Sequence, residues 1–219
     1  MNYQLDRYHQ PLNGDITLSS SKSESNRALI MNALSGNQLQ LKNLSDARDT
    51  QTMQRLLSKK QPVWDVIDAG TTMRFCTAYL AISGSGEIIT GSDRMKERPI
   101  KPLVDALRRL GAKIDYLAQE GFPPLRISAQ KNKPQADKIS IPGNISSQYI
   151  SALLMIGPTL ADGISIELTG EIFSRPYIEM TLALMHHFGI NSTWKDQTIH
   201  IKPQPYKAQS YTIESDWSG

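Results

Sequence analysis

Lys22 stands between Ser21 and Ser23 and five residues before Arg27, an arrangement suited to chemistry on an anion. Ser21, Lys22, Ser23, Glu24, Ser25, Asn26 and Arg27 run straight into the apolar stretch Ala28, Leu29, Ile30, Met31. Ser21 and Glu24 have the spacing of a capping box, so a helix is expected to start here with free backbone N–H groups near Lys22. A helix start carries about half a positive charge and takes phosphate or carboxylate readily. Taken alone, the heptapeptide reads equally well as an ordinary solvated cap with a surface lysine. His9, His186, His187 and His200 have no metal-ligand spacing with Cys, Asp or Glu, and the His186-His187 pair reads as the polar end of a helix. Cys76, the only cysteine, lies in an apolar helical stretch and reads as a buried hydrophobe.

The elements that would position these residues repeat along the chain. A first unit holds the helix from Ser21, a strand at 38–41, a helix capped near Asp49 and Thr50, and a strand at 63–67. A second opens at 68–74 and passes through a strand at 87–90. It then enters a helix with Pro99 near its first turn, ends that helix at Gly111, and closes with strands at 112–116 and 125–128. A third runs from a strand at 138–141 into a helix at Ser146, Ser147 and Gln148, then a strand at 164–168. A helix from Arg175 to Gly189 follows, then strands at 191–194 and 198–201. Strand, helix, strand, helix and one or two further strands recur, which predicts an α/β architecture of three related modules around shared helices. Packing of that kind brings like ends together, so Ser21, Gly70 and Ser146 are expected around one pocket. Arg98 and Ser174 are expected near the starts of the second helices, ahead of Pro99 and Pro176.

Composition narrows the possible partners. With 219 residues, 39% hydrophobic and 21% charged, the chain has the make-up of a globular protein with a substantial core. Its 24 Lys and Arg against 21 Asp and Glu are too balanced and too dispersed for a nucleic-acid surface. No apolar run is long enough to span a bilayer, no targeting segment is read at the start, and the single cysteine suits a reducing cytoplasm, the expected location.

Five motifs in order carry a family resemblance: Lys22 to Leu29 after Ser21; Asp68, Ala69, Gly70, Thr71, Thr72, Met73, Arg74; Arg94, Met95, Lys96, Glu97, Arg98, Pro99, Ile100; Ser146, Ser147, Gln148, Tyr149; and Ser174, Arg175, Pro176, Tyr177. Together they resemble the N-terminal half of 5-enolpyruvylshikimate-3-phosphate (EPSP) synthase. The resemblance implies one lobe of an inverted α/β barrel built of three βαβαββ units, with substrates bound between two lobes. It implies transfer of the enolpyruvyl group of phosphoenolpyruvate to the 5-hydroxyl of shikimate 3-phosphate, with no cofactor or metal, and a monomer. Carried over residue by residue, Lys22, Ser23, Arg27, Ser146, Ser147, Gln148, Ser174 and Tyr177 would contact shikimate 3-phosphate. Arg27 would face its carboxylate, and the serines its phosphate. Lys22, Gly70, Thr71, Arg98 and Gln148 would hold phosphoenolpyruvate, with Lys22 also stabilising the departing phosphate.

The same resemblance assigns 1–13 to a strand segment of the other lobe, 14–211 to the three-unit substrate-binding lobe, and 212–219 to the start of the return crossover. Family members are about twice as long, so the chain is expected to be a fragment with little turnover, its partner the missing C-terminal lobe. Departures are Ser20-Ser21 where Pro-Gly usually precedes the lysine, and Asp68 for the commoner Asn. Asp68 is expected to turn toward a cation or a backbone donor, and the role of Arg74 is left open, a pairing with Asp68 or another acid being its bland reading. Two rivals remain. The sister transferase acting on UDP-N-acetylglucosamine is expected to carry Lys-Asn and a reactive loop cysteine, whereas Ser23 follows Lys22 here. A non-catalytic phosphate-ligand-binding module is the other.

Overall fold

The computed structural model describes residues 4, 13–128 and 138–216. The segment 1–13 assigned to another lobe therefore lies almost wholly outside the described residues. Two units share one topology. In the first of them β2 (Val63–Asp65), α3 (Gly70–Ser83), β3 (Ser85–Thr90), α5 (Lys101–Arg109), β4 (Lys113–Tyr116) and β5 (Leu125–Ser128) form a sheet of order β2-β3-β5-β4. In the other β6 (Lys138–Pro142), α6 (Ser147–Ile156), β7 (Ile164–Thr169), α7 (Arg175–His187), β8 (Ser192–Lys195) and β9 (Thr198–Ile201) form the order β6-β7-β9-β8. In each, the first two strands are parallel and the last two antiparallel. A parallel pair needs a crossover, which α3 and α6 supply.

The remaining unit is smaller. It holds α1 (Lys22–Leu34), β1 (Gln40–Lys42) and α2 (Arg48–Leu57), and β1 pairs in parallel with β10 (Ser210–Thr212) from the far end of the described chain. The stretch expected to begin a crossover at 212 is still bonded to this body as far as Asp216, whose N–H donates to the Ser19 carbonyl at 2.7 Å. The strand at 63–67 was expected to close the first unit; it opens the second, beside β3. It also ends at Asp65, because Ile67 adopts a left-handed φ of 58° and its N–H donates to the Asp65 carboxylate.

α1, α3 and α6 are buried on nearly all sides over much of their length, as their apolar or small residues at every helical angle require. α1 packs on α3 and α7, and α3 on α6. α2 and α5 bury one stripe each: Met53 and Leu56, and Leu103, Val104 and Leu107. Pro99 lies ahead of α5 and not in its first turn, where Pro102 stands instead, and the short α4 (Asp93–Lys96) precedes it. α2 starts at Arg48 with Ala47 at its cap, and the Thr50 hydroxyl goes to Asn26 at 2.8 Å, so the cap expected at Asp49 and Thr50 is not made. α7 ends at His187, as the histidine pair suggested.

Cys76 is fully buried in α3, and burial pushes its thiol well above the usual range. Reactivity requires the thiolate, so a chromogenic disulfide reagent should leave the native chain unmodified at pH 8 and titrate one thiol in denaturant. Rapid reaction of the native chain would show that α3 opens locally.

Candidate functional site

The first turns of α1, α3 and α6 converge on one polar cavity of about 330 Å³. Lys22, Ser23 and Arg27 enter it from α1 and Thr71 from α3. Ser146, Ser147 and Gln148 come from the start of α6, and Ser174 and Tyr177 from the start of α7. These nine are nine of the eleven positions singled out in the sequence. The other two, Gly70 and Arg98, adjoin it: a Cβ on Gly70 would lie 2.5 Å from Arg98 Nη1. Arg98 opens onto a second polar cavity of about 440 Å³ lined also by Asp68, Ser92, Arg94 and Met95. The Gln148 side-chain amide donates to the Thr71 hydroxyl at 3.2 Å and so sits where the two regions meet.

Local structure explains each placement. The Ser21 hydroxyl accepts the Glu24 N–H at 3.3 Å, half of a capping box. The other half is absent: the Ser21 N–H donates to the Glu214 carbonyl at 2.8 Å, and the Glu24 carboxylate turns away to other partners. α3 starts at Gly70 with no side-chain cap and no acidic residue in its first turn, which leaves its N–H groups and dipole uncompensated. Ser146 caps α6 through the Gln148 N–H at 3.4 Å. Ser174 occupies the cap of α7 in the left-handed region, φ 52°, yet its hydroxyl makes no cap bond. A non-glycine residue held there costs about 1 kcal/mol or more, and strain of this kind concentrates at functional sites.

Arg27, expected to face a ligand carboxylate, is embedded in the structure. It is 2% exposed. Its Nε donates to the Thr181 hydroxyl at 2.7 Å, Nη1 to the Ser23 carbonyl at 2.8 Å, and Nη2 to the Ser151 hydroxyl at 3.1 Å and the Tyr177 carbonyl at 3.4 Å. The guanidinium also lies 5.4 Å from the Phe75 ring centre and 5.8 Å from that of Tyr177. Every one of these partners is neutral. Burial consequently lowers its pKa to about 10, leaving it charged at neutral pH, and one of its five N–H groups has no acceptor among the described residues. Such a group suits an incoming anion.

Arg74 pairs with no acid. It is 5% exposed, donates through Nη1 to the Gly70 carbonyl at 2.8 Å and stacks 5.5 Å from the Tyr149 ring centre, while its Nε lacks a partner. Burial lowers its pKa. Asp68 does turn to a cation, Arg48, at 3.3 Å. Among the described residues it is the only acid lining either cavity, against Lys22, Arg27, Arg94 and Arg98. Sequence reasoning passed over Ser151, Thr181 and Tyr149. The first two lie one helical turn after Ser147 and Tyr177, a spacing that puts them on the same face and could have flagged them. The Tyr149 hydroxyl fixes the Arg98 loop by donating to the Pro99 carbonyl at 2.6 Å.

Fold and site together define an α/β lobe of repeated units whose inner helices begin around a cationic cleft. The chain belongs to the EPSP synthase (3-phosphoshikimate 1-carboxyvinyltransferase) family, whose family model matches residues 7–60 and 56–219. A 3-phosphoshikimate 1-carboxyvinyltransferase of Bacteroides fragilis is 52% identical over 219 residues, all of this chain and 53% of the relative. One from Histophilus somni is 40% identical, covering 94% of this chain and 55% of its own. Among solved structures, an EPSP synthase of Acinetobacter baumannii superposes with a TM-score of 0.78 at 17% identity over 93% of this chain and 50% of that one. The fold is thus that of one lobe of an inverted α/β barrel, and the chain spans about half the length of the curated relatives it matches. Among the described residues, no helix is long and apolar enough to cross a membrane.

Proposed function

We propose that this chain forms the half-site of a 3-phosphoshikimate 1-carboxyvinyltransferase that holds shikimate 3-phosphate and one face of phosphoenolpyruvate. The reaction would serve the route to chorismate and the aromatic amino acids. The observation that carries the reading is the convergence of Lys22, Ser23, Arg27, Ser146, Ser147, Gln148, Ser174 and Tyr177 on one cavity with the Gly70–Arg98 contact beside it. Both substrates bear a phosphate and a carboxylate, so the site has to hold two polyanions against their mutual repulsion. Fixed cations and helix starts meet that demand.

In this reading the free N–H of Arg27 meets the shikimate carboxylate, and the hydroxyls of Ser146, Ser147 and Ser174 donate to its phosphate. Arg98 and the α3 start take phosphoenolpyruvate, with Gln148 between the two ligands. The 5-hydroxyl oxygen of shikimate 3-phosphate bonds to C2 of the enol as its own proton passes to a base and the C2–C3 double bond takes up a proton at C3. The C2–O bond to phosphate then breaks, C3 returns a proton, and phosphate leaves. Lys22, exposed at the rim, stabilises or protonates that phosphate. The family resemblance puts the acid and base carboxylates on the other lobe, in the half of the relatives that this chain does not span.

A continuous assay of phosphate release tests the reading. The chain alone with both substrates should show no turnover, and adding the C-terminal half of the Bacteroides fragilis relative should restore it. Robust release by the isolated chain, or none from the pair, would sink the shared-site assignment.

A further inference from the structure

We infer that Glu24 is a positioning residue, whose carboxylate clasps the segment 210–216 to the first turn of α1 and thereby sets where Lys22 and Ser23 stand in the cavity. The inference rests on the reading of that cavity as the shikimate 3-phosphate site. Glu24 is 8% exposed, one turn into the helix that brings Lys22, Ser23 and Arg27 to the cavity. At this position of a capping box a glutamate returns to the cap N–H. Here it crosses to the far end of the described chain, accepting the Tyr211 hydroxyl on one oxygen and the Glu214 N–H at 2.7 Å on the other.

The clasp closes from both sides. Ser21 N–H donates to the Glu214 carbonyl at 2.8 Å, Ser20 bridges Ser215, and the Asn43 side chain holds the Ile213 carbonyl at 2.8 Å. Tyr211 is itself fixed between neighbours, with ring centres 4.8 Å from His187 and 5.8 Å from Phe188. Burial, then the Glu24 carboxylate, push its hydroxyl upward, so it remains a donor at any physiological pH. Among the described residues Glu24 forms no ion pair with a basic side chain, and it is not among those lining the cavity. Its carboxylate, next in sequence to Ser23 of the cavity, is bonded by an O–H and an N–H of the segment 210–216. Without these bonds the α1 start keeps the Ser21 cap and the backbone ties of Ser20 and Ser21 to 214–215 but loses its side-chain anchor to that segment from within the first turn, and the carboxylate is free to swing toward Lys22.

The test is calorimetric titration of shikimate 3-phosphate into the wild-type chain and into Glu24→Ala, Glu24→Gln and Tyr211→Phe, each well below its melting temperature. Loss of the clasp in Glu24→Ala should weaken binding about tenfold, the scale on which small misplacements of binding groups act. Glu24→Gln should recover most of it, because its carbonyl accepts the Glu214 N–H while its amide donates to the Tyr211 oxygen. A purely structural role would lower melting temperatures and leave binding by the folded chains unchanged. Amide exchange without ligand gives the second readout: the Glu24 and Ser25 amides should exchange faster in Glu24→Ala while those of β6 to β9 keep their rates. Wild-type affinity in folded Glu24→Ala, or unchanged protection of the first turn, overturns the inference. Should Glu24→Ala not fold, Tyr211→Phe decides through a smaller loss in the same two readouts. Failure of the wild type itself to bind would sink the substrate reading of the cavity, while exchange at Glu24 and Ser25 still decides the clasp.

Discussion

Arg27→Met should eliminate measurable binding of shikimate 3-phosphate and leave the melting temperature unchanged or higher. The binding loss follows from removing a desolvated cation that lines the cavity, worth about a hundredfold or more in affinity for a carboxylate. The stability side follows from its partners, all neutral, so that no counter-ion offsets the cost of burial. The lowering of its pKa from the ordinary arginine value to about 10 corresponds to about 3 kcal/mol of burial cost at neutral pH, to order of magnitude. Methionine fills similar volume without that cost. It also orphans little, since Ser151 and Thr181 are already bonded to each other at 2.8 Å and Thr181 donates to the Tyr177 carbonyl. Arg27→Ala, by contrast, opens a cavity and should be the less stable variant. The pH dependence has a definite sign. The unfolded arginine holds its proton to higher pH than the folded one, so wild type carries the full cost below about pH 10 and sheds it as pH rises from there toward the ordinary arginine range. Any stability advantage of Arg27→Met should shrink over that window, as chemical denaturation at stepped pH would read. A variant that unfolds at neutral pH or binds like wild type would refute the account.

What the sequence disclosed and what it concealed divide along locality. Helix starts were legible because their signals sit within a turn: the Ser21 cap, the Gly70 start, and Ser146 ahead of Gln148. The cavity followed from the repeat, since α1, α3 and α6 are first helices of related units and their starts must meet when their apolar flanks are buried together. Nonlocal partners were not legible. Arg27 reaches Thr181 across 154 residues, and Glu24 reaches Glu214 across 190, so a capping box that looked complete was only half made. The strand at 63–65 was given to the wrong unit because sheet membership depends on its pairing with β3, which no local pattern reveals. Ile67 ended that strand early against the preference of a β-branched residue, through the Asp65 carboxylate and the Ser92 N–H that hold its backbone at 2.8 and 2.7 Å.

Gly70→Ala should separate the two ligand regions that the site joins. The new methyl would stand 2.5 Å from Arg98 Nη1, 2.9 Å from Arg98 Cζ and 2.9 Å from Arg74 Nη1, so one guanidinium has to move. Arg74 is buried, bonded to the Gly70 carbonyl and stacked on Tyr149; Arg98 is exposed in the loop between α4 and α5 and yields. The fold should persist, because alanine in the first turn of α3 replaces the poorest helix former short of proline and offsets part of the crowding. Displacing Arg98 removes a cation from the α3 start, and phosphoenolpyruvate affinity should fall about tenfold to a hundredfold, the range for losing one charge-assisted contact. Shikimate 3-phosphate should bind as before, since its proposed contacts line the neighbouring cavity and the atoms nearest that methyl belong to Arg98 and Arg74. Steady-state kinetics with the complementary half supplied would show this as a raised KM for phosphoenolpyruvate alone. Equal losses for both substrates would mean that Gly70 acts through the whole first turn of α3 and not through Arg98, and Arg98→Ala in the Gly70→Ala background distinguishes the two. If the methyl acts by displacing Arg98, removing that side chain as well should cost little more, whereas independent roles predict that the two losses multiply.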